Sequence, residues 1–226
     1  STVFGNGNGY HKEVKSYKYN GLVDGDSGTY TSSQTFPLSY TSYRIFGADT
    51  NEKVYKRNHQ GRSHYKRHYE EHGLNEYASA MLGEEAAHHK DQLLHGKNIT
   101  FYVKKGKRGS DLRGRTPAFA MIPVDGKNVD FGIYLASKGL AMMRRYPKGH
   151  EKEGQVRKNI FNNIPAVLPS GKSRSDYVKA FYEAEKYAER NGFGMYYYGS
   201  RKKHTDLREA TEKARTAEPN LMGYGE

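Results

Sequence analysis

The sequence predicts an α+β fold built on a small β-barrel. Five short strand-like stretches are separated by Gly-rich turns. A helix-like stretch lies between the third and fourth of them, and apolar stripes at helical spacing follow the fifth.

Residues 1–14 (STVFGNGNGYHKEV) are rich in Gly and Asn and read as an arm. Residues 15–24 alternate through Tyr17, Tyr19 and Leu22-Val23, a first strand. Asp24-Gly25-Asp26-Ser27-Gly28 is turn chemistry, so a hairpin into Thr29-Tyr30-Thr31 is expected. Tyr40 to Phe46 reads as a third strand, broken by residues 47–52. Residues 53–82 are basic and rich in Tyr and His. Gly83 to His95 carries acids at its start, which complement a helix macrodipole.

Asn98 to Lys104 is a fourth strand, with Ile99, Phe101 and Val103 alternating. A basic loop leads to a fifth, Thr116 to Val124, and Asp125-Gly126 is a turn. Val129, Ile133, Ala136 and Leu140 form a stripe at helical spacing, with Gly139 as its C-terminal stop. Residues 145–172 hold Pro147, Pro165 and Pro169, an irregular connection. Ser175 or Asp176 is placed to cap a last helix. Its stripe is Tyr177, Ala180, Phe181, Ala184, Tyr187 and Ala188, and Gly192 ends it. Leu207, Ala210 and Ala214 hint at one further short helix in a polar tail.

In 226 residues, 37 Lys and Arg stand against 25 Asp and Glu, a formal charge of +12. Such a chain attracts polyanions: nucleic acid, an anionic membrane surface or an acidic partner. Three basic runs fall at 53–68, 97–115 and 144–158. Hydrophobic residues make up only 35 %, so the core is modest. No apolar run approaches the roughly 18 residues of a membrane span. The absence of cysteine excludes disulfides, a thiol nucleophile and thiolate metal sites. The start Ser1-Thr2-Val3 reads as a processed or trimmed form, and a basic, Cys-free chain fits a mitochondrial mature protein better than a secreted one.

Two acidic clusters flank a strand that carries an arginine: Asp24-Gly25-Asp26-Ser27, and Arg44 followed by Asp49-Thr50-Asn51-Glu52. A second arginine stands far downstream in Arg113-Gly114-Arg115-Thr116. Carboxylates from separate turns can converge on a hard cation, two arginines can clamp a phosphate, and a further carboxylate can activate water. In this order the motifs resemble the staphylococcal nuclease family. Gly83-Glu84-Glu85-Ala86, Asp125-Gly126-Lys127, Gly139-Leu140-Ala141 and Ala188 to Gly192 extend the resemblance, which runs from about Tyr17 to about Gly194.

The resemblance implies a five-stranded OB-fold barrel with about three helices and Ca²⁺-dependent phosphodiesterase activity on DNA or RNA. Asp26 and Asp49 would hold Ca²⁺ through carboxylates and Thr50 through its carbonyl. Glu52 would be the general base, and Arg44 and Arg115 would bind the scissile phosphate. The domain would span 15–196, with insertions at 53–82 and 142–172 and a second arm at 197–226. The chain departs from the family pattern at Ser27 (family Thr) and Asn51 (family Pro). Arg113 and Arg145 stand where substrate-pocket tyrosines are expected, with Tyr146 beside the second. These departures, the insertions and the polar arms motivate a rival: a catalytically silent accessory subunit that meets other protein subunits through its arms. A nucleic-acid-binding module without cleavage is a third possibility.

His64, His68 and His72 would share one face of a helix. That pattern suits Zn²⁺ or Ni²⁺, and a polar helix face explains it as well. Tyr196-Tyr197-Tyr198 suits base stacking or packing.

Overall fold

The computed structural model describes residues 8–18, 27–31, 40–46, 48–50, 76–107, 109, 114–143 and 164–198. These form β1 (Tyr10–Lys18), β2 (Ser27–Thr31), β3 (Tyr40–Ile45), β4 (Ala48–Thr50), α1 (Glu76–Leu94), β5 (Asn98–Lys104), β6 (Thr116–Val124), β7 (Lys127–Asp130), α2 (Phe131–Ser137), β8 (Ala141–Met143), α3 (Arg174–Asn191) and the single turn α4 (Met195–Tyr198). The fold is α+β, with helices packed on a curled mixed sheet.

Six strands share that sheet in the order β3-β2-β1-β5-β6-β7. It curls far enough for β3 to pair with β6 as well, in parallel, while its other pairings are antiparallel. Alternation explains the long strands. On β5, Ile99, Phe101 and Val103 are buried, and Ala118, Ala120 and Ile122 of β6 join them. Tyr43 of β3 stacks on Phe101, with ring centroids 3.9 Å apart and planes 2° from parallel. Leu82, Ala86 and Leu94 of α1 belong to the same core.

β5 and β6 have the bounds that the sequence predicts. The Asp125-Gly126 turn joins β6 to β7 as a two-residue hairpin, both residues having positive φ (50° and 76°), the geometry that matches strand twist. Other boundaries differ. β1 starts at Tyr10, so residues 10–14, read as arm, are strand. Their pairing with β5 outweighs the local Gly and Asn content. α1 begins at Glu76, seven residues before Gly83 and inside the stretch read as an insertion. Val129 belongs to β7, and the helix starts after it at Phe131. β4, β7 and β8 are three or four residues long, too short to show a period.

Helix ends follow capping chemistry. Asp130 caps α2, its carboxylate accepting from the Ile133 N–H at 2.9 Å. α3 starts two or three residues earlier than Ser175 or Asp176 would set it. Ser173 is the cap and Asp176 closes a capping box with it. Gly192 ends α3 at φ 65°.

Behind the sheet, Tyr177 of α3 packs edge-on against Phe119 of β6, which also meets Tyr10 and Phe46. The stretch 164–173 straps this layer. Ile164 and Leu168 are buried, and the Val167 carbonyl accepts from the Tyr10 hydroxyl at 2.8 Å. Gly139 at the end of α2 lies against Gly194. Its carbonyl accepts from the Met195 N–H at 3.0 Å, and a Cβ on Gly139 would stand 2.2 Å from the Phe193 oxygen.

Gly139→Ala is therefore expected to lose about 3 kcal/mol or more of stability, from backbone collision and its positive φ together. Tyr10→Phe, which removes the hydrogen bond to the Val167 carbonyl, should lose about 1 kcal/mol. Urea titrations followed by circular dichroism measure both.

Candidate functional site

Pairing register, rather than sequence proximity, assembles the candidate site. Arg44 lies opposite Ser27 on β2 and opposite Pro117 on β6. Arg115 precedes Pro117 by two residues, so it falls on the same face as Arg44 by the two-residue period of a strand. Both arginines are half-buried, and the Nε of Arg44 is shielded from solvent. Gly114, at φ 72°, turns the chain into β6 immediately before Arg115.

Asp49 and Thr50 stand on β4, the two-stranded partner of β8. Asp49 pairs with Met142 and Thr50 with Ala141. β4 also touches α2: a Cβ on Gly132 would come within 3.2 Å of the Ala48 Cβ. So Arg44, Arg115 and the backbone of Asp49 and Thr50 have defined positions. Asp26, Glu52, Arg113, Arg145 and Tyr146 lie outside the described residues, as do His64, His68 and His72. Among the described residues, no group of three or more His, Asp or Glu side chains gathers at metal-binding distance.

The structure also holds buried polar groups that the sequence pattern passes over. Glu13, nearly buried, accepts from the Tyr43 hydroxyl and pairs with His11 Nε2 at 2.8 Å. His89 of α1 meets the Tyr134 hydroxyl of α2 at 3.1 Å. Lys138, with no exposed surface, lies over the Tyr134 ring at 5.6 Å. Burial pulls its ammonium down to about 8, against an upward pull from Asp125. Asp130 accepts from the Tyr177 hydroxyl at 3.2 Å as well as capping α2. Its burial outweighs those hydrogen bonds and pushes its carboxyl up to about 6. Of these, only Asp130 had a usable signal, an Asp directly ahead of Phe131-Gly132-Ile133-Tyr134-Leu135.

Chemically, the described part of the site is a pair of arginines that strand register assigns to one sheet face. Two such forks suit a tetrahedral oxyanion. No protein-family model matches the chain, and no curated protein is significantly similar to it.

Asp130 makes stability depend on pH. Its folded pKa lies above its unfolded value, so it favours folding below 3.8, and that contribution is lost as pH rises through about 6. Asp130→Asn keeps an oxygen to cap α2 and cannot ionise. Urea titrations of the variant should show a loss across that window smaller by on the order of 3 kcal/mol. Asp91, also raised to about 6 by burial, retains its own share.

Proposed function

We propose that this chain is a Ca²⁺-dependent phosphodiesterase of the staphylococcal nuclease type, acting on DNA or RNA, and that its curled sheet is an OB-fold barrel. The pairings support the barrel reading. β1, β2, β3, β6 and β5 each pair with the next, and β5 with β1, through one parallel and four antiparallel contacts. A five-stranded Greek-key barrel of the OB type has that plan.

The register of β3 against β6 carries the functional reading. It sets Arg44 and Arg115, 71 positions apart in the chain (115 − 44), on one face at one end of the sheet. The candidate metal ligands are all oxygen donors, two carboxylates and a main-chain carbonyl, the chemistry of a hard cation. Asp49 and Thr50 contribute from a strand whose backbone is fixed by β8. Bound there, Ca²⁺ would neutralise charge on the phosphate oxygens.

In this reading Arg44 and Arg115 grip the non-bridging oxygens and strengthen their hold as charge builds at phosphorus. Glu52 takes the proton from the attacking water. The new P–O bond forms as the bond to the leaving oxygen breaks.

The accessory-subunit reading draws on Arg113 and Arg145, which replace the tyrosines expected beside the nucleotide. Copurification in a stable complex without nuclease activity favours it.

Glu52→Gln and Arg115→Ala are each expected to slow cleavage of single-stranded DNA by about a hundredfold or more. EGTA should abolish cleavage. Intact DNA and RNA after incubation with millimolar Ca²⁺ would overturn the enzyme reading.

A further inference from the structure

Three segments far apart in sequence meet at the start of β1. The Lys105 N–H donates to the Gly9 carbonyl at 3.1 Å. Asn8 Nδ2 donates to the Pro169 carbonyl at 2.8 Å, and the Tyr10 hydroxyl to that of Val167 at 2.8 Å. The β5–β6 connection and the turn at 168–172 thus flank the same short piece of chain.

The combined surface is cationic. Residues 104–107 bring Lys104, Lys105 and Lys107. Residues 166–174 bring Lys172 and Arg174, and neither stretch contains Asp or Glu. Lys105, Lys107 and Lys172 are exposed. Among the described residues, two carboxylates lie near. Asp176 faces Lys172, and one of its oxygens is held by the Ser173 hydroxyl at 2.9 Å. Glu13 alternates to the opposite face of β1 from Tyr10, bound to Tyr43 and His11.

We infer that this ridge is a second phosphate-binding site, which holds the backbone of single-stranded nucleic acid outside the sheet face that carries Arg44 and Arg115. The β5–β6 connection leaves β5 at Lys105 and ends at Arg115, so ridge and arginine occupy the same end of the sheet. Nucleic acid fits better than a lipid surface. Val167 is the one large hydrophobic side chain of these two stretches that is exposed, at 47 %, whereas membrane-surface elements present an apolar face. The inference rests on the phosphate-binding part of the proposed function and not on cleavage.

The test uses the full chain in EGTA and a fluorescent single-stranded oligonucleotide of about 20 nucleotides. Anisotropy titrations at several salt concentrations give the slope of log affinity against log salt. Each single-strand phosphate contact adds about 0.7 to that slope, so K105Q/K107Q/K172Q should reduce its magnitude by about 2. Its arginine counterpart, K105R/K107R/K172R, should keep the slope. With Ca²⁺ present, cleavage of a dinucleotide too short to reach the ridge should not change. An unaltered slope in the folded triple variant would overturn the inference, and so would tighter binding to phosphatidylserine vesicles than to the oligonucleotide. A reduced slope in a protein that cleaves nothing would leave the ridge standing and remove the nuclease reading. If the triple variant fails to fold, single variants each reduce the slope by about 0.7, or the inference fails.

Discussion

The parallel pairing of β3 with β6 is the constraint on which the rest of the molecule depends. Tyr43 meets Thr116, Arg44 meets Pro117 and Ile45 meets Ala118. Without that contact the sheet has two open edges. With it, the sheet curls around Tyr43, Phe101, Ile99 and Ala120, and one end gathers the two arginines. Alternation then separates functions across a single strand: Tyr43 and Ile45 turn to the core, and Arg44 between them takes the other face. Core and candidate site are thus consequences of one register. A slip of one residue would exchange them.

The second layer holds itself in place with polar groups more than its small size suggests. Asp130 ends β7, caps α2 and receives the Tyr177 hydroxyl from α3, so three elements converge on one carboxylate. Its desolvation is the cost of that position, visible in its raised pKa. Glu13 plays a comparable part within the sheet, joining β1 to β3 through the Tyr43 hydroxyl. In a chain with 35 % hydrophobic residues, such bonds specify packing that apolar area alone leaves loose.

Long strands were legible in the sequence because burial on one face writes a period of two into seven to nine residues. The sequence of β5 shows it through Ile99, Phe101 and Val103, whereas β6, buried on both faces along Ala118 to Ile122, reads as a continuous apolar run. The last helix was legible through its stripe and Gly192, although Ser173 caps it in place of the later candidates. The start of β1 was not. Tyr10 is buried by contacts with Phe119 and Val167, which local composition cannot signal. β4, β7 and β8 were missed because three or four residues carry no measurable period. Of the candidate site, motif order pointed to Arg44, Asp49, Thr50 and Arg115, and register relates the two arginines. Glu13 and His89 had no sequence signal, since their partners Tyr43 and Tyr134 lie 30 and 45 positions away.

The hydrogen bonds that close this domain have a temporal meaning. Tyr10 reaches Val167 across 157 positions, Asn8 reaches Pro169 across 161, and Gly139 waits for Met195. A nascent chain emerging from the ribosome can form the β5–β6–β7 meander early, because those strands are neighbours in sequence. It cannot close the Tyr10 and Asn8 hydrogen bonds until residues 167–169 have left the exit tunnel. Contacts of such long range slow folding. β1 can pair with β2 and β5 before then, so what waits is the cover that residues 164–173 place over Tyr10. The domain therefore depends on late completion, and chaperone attention in living cells should concentrate on its beginning.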